Sequence, residues 1–257
     1  ILLFAVAYSL LALVWTMDAK TIGFLGCGKI SSAVCRGFAT CATPPRKIFV
    51  SLRSIDKSEA LKRDFPDLIE VLDDNNKIAE LSDVLFIGLL PNVAEEVLPQ
   101  LPLTPQKLII SMMAAVDYSK TLQLLSQIPA DRIVRTVPLP SASRRSGPII
   151  MFPGQSEAEE ILRFVGTPIV CEEEAKMKPM ISVTGHISSF YELMRTTQSF
   201  LSEKGVQEET ALQFVKAFYS SLASGAEQSH DNLEELRDEA ATKGGLNEQS
   251  VAFLRNS

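Results

Sequence analysis

Hydrophobic positions along the chain alternate between two spacings. Thr21 to Leu25 reads Thr-Ile-Gly-Phe-Leu, a short apolar run that suits a buried strand. After Gly26-Cys27-Gly28, the residues Ile30, Ala33, Val34, Gly37, Phe38 and Cys41 recur at steps of three and four, so one stripe of a helix faces a sheet. Pro44 and Pro45 end that helix, and Lys47 to Ser51 is a second apolar run. The rhythm then repeats as a helix near Lys57 to Asp64, a weak strand around Leu68 to Val71, a short helix near Lys77 to Leu81 and a strong strand Val84 to Gly88. Further strands are expected at Leu108 to Ser111, Arg132 to Val137 and Ile149 to Phe152, with a helix from Tyr118 to Gln127. Strands that alternate with helices imply a parallel sheet, and right-handed crossovers place helices on both of its faces.

Beyond Pro153 the pattern turns helical. Ser156 with Glu159 reads as a capping box for a helix to Val165, one more strand is expected at Pro168 to Cys171, and the remainder reads as helix. Phe190 to Leu201 and Ala211 to Leu222 carry broad apolar faces: Phe190, Leu193, Met194 and Leu201 on one, Leu212, Val215, Phe218, Tyr219 and Leu222 on the other. Such faces pack within one chain or against a second copy. The expected fold class is α/β: a Rossmann-type, mostly parallel sheet over residues 17–153, followed by an all-α substrate and dimerisation domain over residues 154–257. Residues 1–16 contain no charge but are shorter than the about 20 residues that span a bilayer, and they lack the positive flank and cleavage site of a signal peptide. They read either as extra sequence ahead of a start at Met17 or as part of a targeting or anchoring segment. The first reading implies a cytoplasmic protein; only a genuine anchor would bring it to a membrane.

Charge and cysteine usage narrow the chemistry. With 25 basic against 31 acidic residues and no run of like charge that would track a phosphate backbone, a nucleic-acid partner is not expected. Cys27, Cys35, Cys41 and Cys171 match no zinc spacing and His186 and His230 are the two histidines, so the cysteines read as reduced thiols and no metal site is expected.

The chemistry points instead to Gly26-Cys27-Gly28-Lys29-Ile30-Ser31, which departs from G-x-G-x-x-G at its last position. Between a strand and an amphipathic helix, the first glycine permits a tight turn and the second lets backbone amides approach a pyrophosphate at the helix N-terminus. NAD binders place Asp or Glu at the end of the second strand to accept from the ribose 2′-hydroxyl. Here that end reads Ser51-Leu52-Arg53-Ser54. A guanidinium flanked by hydroxyls attracts a 2′-phosphate that a carboxylate would repel, so NADPH is the expected cofactor.

Taken together, Ile22 to Ala33, Arg53-Ser54, Asp83 to Leu98 with its Pro91 turn, Ile109 to Ala115, Arg135 to Pro138 and Leu236 to Gly245 resemble the pyrroline-5-carboxylate reductase family. The resemblance covers nearly all of Lys20 to Leu254 and is most specific in Leu-Arg-Asp-Glu-Ala-Ala-Thr-Lys-Gly-Gly. It implies NAD(P)H-dependent reduction of a cyclic imine to proline, and a helical domain that interlocks in a homodimer or a higher homo-oligomer. It further implies that the cofactor is held by Gly26, Gly28, Lys29, Ile30, Ser51, Arg53, Ser54, Leu89, Pro91, Ala114 and Ala115. The carboxylate of a small imino acid would lie on the amides after Gly244-Gly245, with Thr242 and Asn247 in hydrogen-bonding reach.

The departures fall where the family touches its substrate. Leu246 and Asn247 stand in place of paired threonines, Gly185-His186-Ile187-Ser188 in place of a glycine-serine-glycine-proline turn, Leu139 in place of an asparagine, and Leu90-Pro91-Asn92 in place of Lys-Pro-Gln. Leu246 and Ile187 imply a larger, more apolar pocket. His186 reads as a capping or packed residue, with an acid-base role as the alternative. Glu172 to Glu174 and Glu234-Glu235 read as solvated faces. Two other functions fit the cofactor segment: another NADP-linked oxidoreductase, of the deazaflavin-dependent NADP reductase or hydroxyacid dehydrogenase type, and a non-catalytic NADPH-binding sensor.

Overall fold

The structure, a computed structural model, describes residues 17–256, so the two readings of residues 1–16 lie outside the described residues. Eight strands form one sheet: β1 (Thr21–Leu25), β2 (Lys47–Ser51), β3 (Ile69–Leu72), β4 (Val84–Ile87), β5 (Leu108–Ser111), β6 (Ile133–Val137), β7 (Pro148–Phe152) and β8 (Thr167–Val170). Their order is β3-β2-β1-β4-β5-β6-β7-β8, parallel throughout except between β6 and β7. The order reverses beside β1, which has β2 on one side and β4 on the other; in open α/β sheets this is where ligands bind, at the carboxyl ends of the strands.

Continuous apolar runs are required because helices cover both sheet faces. On one face Val34 and Phe38 of α1 (Lys29–Ala39) pack on Ile22, Phe24 and Phe86, with the Phe24 and Phe86 rings stacked at 5.0 Å. On the other, Ile78 of α3 (Asn75–Leu81) and Ala94 of α4 (Pro91–Val97) pack on Leu25, Leu85 and Ile87. The β1–β4 register is pinned by Asp83, whose carboxylate accepts from the Thr21 amide at 2.8 Å and from its hydroxyl at 2.7 Å. Among the described residues up to Val183, the other α-helices are α2 (Ile55–Asp64), α5 (Tyr118–Leu124), α6 (Ser156–Leu162) and α7 (Met177–Val183).

Several elements differ from expectation. Helix α4 begins at Pro91, where sequence suggested a turn; proline at the first helical position sacrifices no intrahelical bond. Helix α5 stops at Leu124, short of Gln127. Ser156 does not cap α6 but is its first residue, and Gln155 is the cap, its side-chain oxygen accepting from the Ala158 amide at 2.6 Å. The first compact unit ends at Val183 rather than near 153, because β8 pairs with β7 and Ala158, Ile161 and Leu162 of α6 enter the sheet core.

The second unit, from Thr184, contains α8 (His186–Glu203), α9 (Glu208–Gln228), α10 (Leu233–Ala240) and α11 (Leu246–Asn256). Glu234 and Glu235 are not merely solvated. Glu235 closes a capping box with Asn232 at the start of α10, and Glu234 pairs with Arg237 at 3.0 Å.

Candidate active site

The turn between β1 and α1 is built on Gly26, held at φ +88°, where a side chain is strained and a Cβ would lie 2.5 Å from the Gly88 carbonyl. Ser51, at the end of β2, accepts from the Gly26 amide at 2.8 Å through its buried hydroxyl, so the second strand sets the shape of the turn. Gly28 is the N-cap of α1 and offers no side-chain acceptor to the first-turn amides, and the space where its Cβ would stand is open to 4 Å. Uncapped amides, an open approach and the positive end of a helix form an anion cradle, and Lys29, exposed at the first helical position, adds a cation.

The third glycine of the fingerprint is Ser31 here. It is buried, and the space it needs comes from Gly88, just past the end of β4, where a Cβ would lie 2.3 Å from the Ser31 hydroxyl. Sequence reading missed Gly88 because its spacing from the turn carries no local signal.

A cleft of about 320 Å³ opens over this turn, lined by Gly28, Lys29, Ile30, Leu89, Pro91 and Ala114 among others. It brings together seven of the expected cofactor residues, Ala115 included, and adds Ser31, Gly88, Leu90, Met112 and Met113. A second cleft of about 370 Å³, which shares Leu89 with the first, is lined by Ser51, Leu52, Arg53, Ile55, Asp73 and Asn75. Arg53 therefore stands at the β2 end as expected, although Asp73 brings a carboxylate to the same cleft. Ser54 lines neither; it precedes α2, and its carbonyl accepts from the Lys57 and Ser58 amides. Cys27, between the two glycines, is buried, and its burial lifts the thiol to about 11.

Behind Ala114 lies a polar cluster that sequence reading did not find. Arg135, on β6, is buried and donates to the Ala114 carbonyl at 2.8 Å and to Glu174 at 2.9 Å. Glu174, expected to be solvated, also accepts from the Tyr118 amide at 2.7 Å. Its sequence context of three glutamates resembles a surface run, and only the pairing of β8 beside β7 carries it inward.

In the second unit, Gly244 adopts φ +74° and the Gly245 amide donates to the Thr242 carbonyl at 2.8 Å, forming a tight turn ahead of α11. The Gly244 amide donates to the Glu248 carboxylate at 2.6 Å, and Asn247 donates through its side-chain amide to the Ala240 carbonyl at 2.7 Å. Thr242, Leu246 and His186 are exposed, and Leu139 leads into a 3-10 turn at Pro140–Arg144. Among the described residues no group of histidine, cysteine and acidic side chains is arranged to hold a metal ion.

Residues 21–115, the span that builds the glycine turn and both clefts, match the family described as NADP oxidoreductase coenzyme F420-dependent. Likeness to single proteins extends much further. The pyrroline-5-carboxylate reductase of Pasteurella multocida is 27% identical over 251 residues, covering 93% of this chain and 90% of that protein. Along nearly its whole length the chain is similar to pyrroline-5-carboxylate reductases. The fold agrees along the same length: a pyrroline-5-carboxylate reductase structure from Coxiella burnetii superposes with TM-score 0.77 at 24% identity, covering 93% of this chain and 91% of that one. The Plasmodium falciparum pyrroline carboxylate reductase, solved with NADP bound, gives TM-score 0.75 at 18% identity over 93% of this chain and 91% of that chain.

Proposed function

We propose that the protein reduces pyrroline-5-carboxylate to proline with NADPH as the hydride donor. The observation that carries this reading is the β1–α1 turn: Gly26 in a conformation that needs glycine, an uncapped helix start at Gly28, and a cleft at the switch point of the sheet. That arrangement fits a dinucleotide diphosphate, and near-full-length similarity to reductases of this substrate supports the reaction. NADPH supplies the hydride; the chain's own residues bind, orient and exclude water. Gly26, Gly28, Lys29 and Ile30 would hold the diphosphate, Ser51 and Arg53 the 2′-phosphate end, and Leu89, Pro91, Ala114 and Ala115 the reduced ring. Orientation of a protonated imine against that ring carries most of the rate and calls for little acid-base chemistry.

In the second unit, the turn at Gly244-Gly245 with Thr242 and Asn247 is the proposed seat of the substrate. Asn247 spends one donor on Ala240 and retains an N–H and its side-chain oxygen. Glu248 on the Gly244 amide favours a second reading within the same class, an imine without a carboxylate, because substrate and Glu248 would compete for one donor. The proposal extends to assembly: Phe190, Leu193, Phe214, Phe218 and Leu222 stay exposed on α8 and α9, which supports a homodimer or higher homo-oligomer through the helical unit. Four free cysteines suit a reducing, cytoplasmic setting, and no described helix is long and apolar enough to cross a membrane.

The test is NADPH oxidation with pyrroline-5-carboxylate and, in parallel, with 1-pyrroline, which lacks the carboxylate. Turnover of the first with a much lower KM supports the principal reading. Preference for 1-pyrroline selects the second, and NADPH binding without turnover of either would refute both.

A further inference from the structure

The connection from β5 to α5 carries four cleft residues, Met112 to Ala115, on six residues of chain, and it is held from behind at its middle and at its far end. At its middle, the Ala114 carbonyl accepts from Arg135 Nη2 at 2.8 Å. At its far end, the Tyr118 amide, first of α5, donates to Glu174 Oε1 at 2.7 Å. The same Oε1 accepts from Arg135 Nη1 at 2.9 Å, which closes the ring. The sulfur of Met177, fully buried, lies 3.5 Å from that Nη1 and seals the pair on its other side.

This arrangement is a poor way to obtain stability. Buried ion pairs roughly break even against apolar residues of the same volume, and here Arg135 Nε is buried without a hydrogen-bond partner. What the guanidinium does provide is direction: its planar fork reaches a carbonyl and a carboxylate at once, which neither lysine nor an apolar side chain reproduces. With the Ala114 carbonyl turned back toward β6, the other face of the loop is presented to the cleft.

We propose that Arg135, locked by Glu174, is a positioning residue for hydride transfer. It holds Met112 to Ala115 in the orientation against which the nicotinamide ring is seated. The inference rests on the reductase reading of this cleft. Arg135 touches neither reactant and acts through the Ala114 carbonyl.

The experiment compares the full-length protein with Arg135→Met and Arg135→Lys, reading NADPH affinity by its fluorescence, kcat, and the isotope effect with NADPH deuterated at the transferred position. In Arg135→Met, kcat should fall on the order of 10- to 100-fold, as small displacements of reactants do, while the NADPH Kd stays near the wild-type value and the isotope effect rises. Arg135→Lys should recover only part of kcat. A wild-type kcat and isotope effect in the folded fraction, with only a lower Tm, would overturn the proposal by leaving Arg135 a structural role.

If Arg135→Met does not fold, Glu174→Ala answers the same question, and Glu174→Gln, which keeps an acceptor for the Tyr118 amide, should restore most of the rate. If the wild-type protein turns over no imine, the reductase reading fails. The clamp is then judged by amide hydrogen exchange at Met113 to Val116 in the NADPH-bound protein. Exchange faster by about tenfold in Glu174→Ala supports the clamp, and unchanged exchange refutes it.

Discussion

At the scale of single residues, the cofactor turn shows one departure answered by another. Ser31 replaces the glycine that normally lets helix and strand approach, and Gly88 removes the side chain that would otherwise meet it. The glycine pair Gly26 and Gly28 was legible because its spacing lies within three residues; Gly88 and Met112 were not, because only the sheet brings them to that turn. Arg53 is the residue proposed to select between the cofactors. Arg53→Ala should weaken NADPH by about 10- to 100-fold, the worth of a charge-assisted hydrogen bond, and NADH far less, as read by titration of both. An unchanged preference would assign the 2′-phosphate to other residues.

Cys27 makes a pH prediction at the same scale. Burial raises its thiol from 9.0 to about 11, so the folded protein keeps this proton where the unfolded chain releases it. A raised pKa contributes stability that is complete below about pH 9 and is lost as the pH climbs toward 11. The Tm of the wild-type protein should therefore fall through this window, and Cys27→Ala should show a shallower decline. Some slope will persist, because burial also pushes the Cys35 thiol up.

At the scale of elements, apolar runs and helical stripes located the strands within one or two residues, since a strand buried on both faces must be apolar throughout. Caps and ends were less legible. Asp117 caps α5, accepting from the Lys120 amide at 2.7 Å, and that hydrogen bond holds its carboxyl below the usual range. A depressed pKa gives stability that is present above the unfolded value of about 3.9 and disappears as the pH falls through the lower folded value. Asp117→Asn, which still caps, should keep neutral stability but lose this acid dependence, whereas Asp117→Ala should cost about 1 kcal/mol at neutral pH. Urea unfolding at pH 7 and in acid separates the two. Lys107 acts at the opposite kind of end: its ammonium donates to the Ser82 carbonyl at 2.5 Å and to the Glu80 carbonyl at 3.3 Å just past α3, and burial lowers its pKa. Nothing in the local pattern around Lys107 marks it, because its partners lie more than twenty residues earlier.

For the whole molecule, the exposed aromatic surface is the main physical fact of the helical unit. Phe214 and Phe218 stack at 5.9 Å, and Phe218 and Phe190 each meet Tyr219 edge-on, yet Phe214 remains 55% exposed. If a second copy covers this face, Phe218→Glu should shift the mass measured by light scattering from oligomer to monomer. A monomeric wild-type protein would sink the assembly proposal.

By itself the sequence determined the alternating α/β order, the glycine turn, the cation at the end of β2 and the resemblance to pyrroline-5-carboxylate reductases, because each is written in short stretches of the chain. The tertiary structure decided what depends on distant segments meeting: that β8 extends the sheet and moves the end of the first unit to Val183, that Gly88 makes room for Ser31, and that Glu174 leaves an acidic run to pair with Arg135 behind the cleft. The physical reason is the same in each case. Periodicity and turn chemistry are local, whereas the partner of a buried charge or the neighbour of a missing Cβ is chosen by the packing of the sheet.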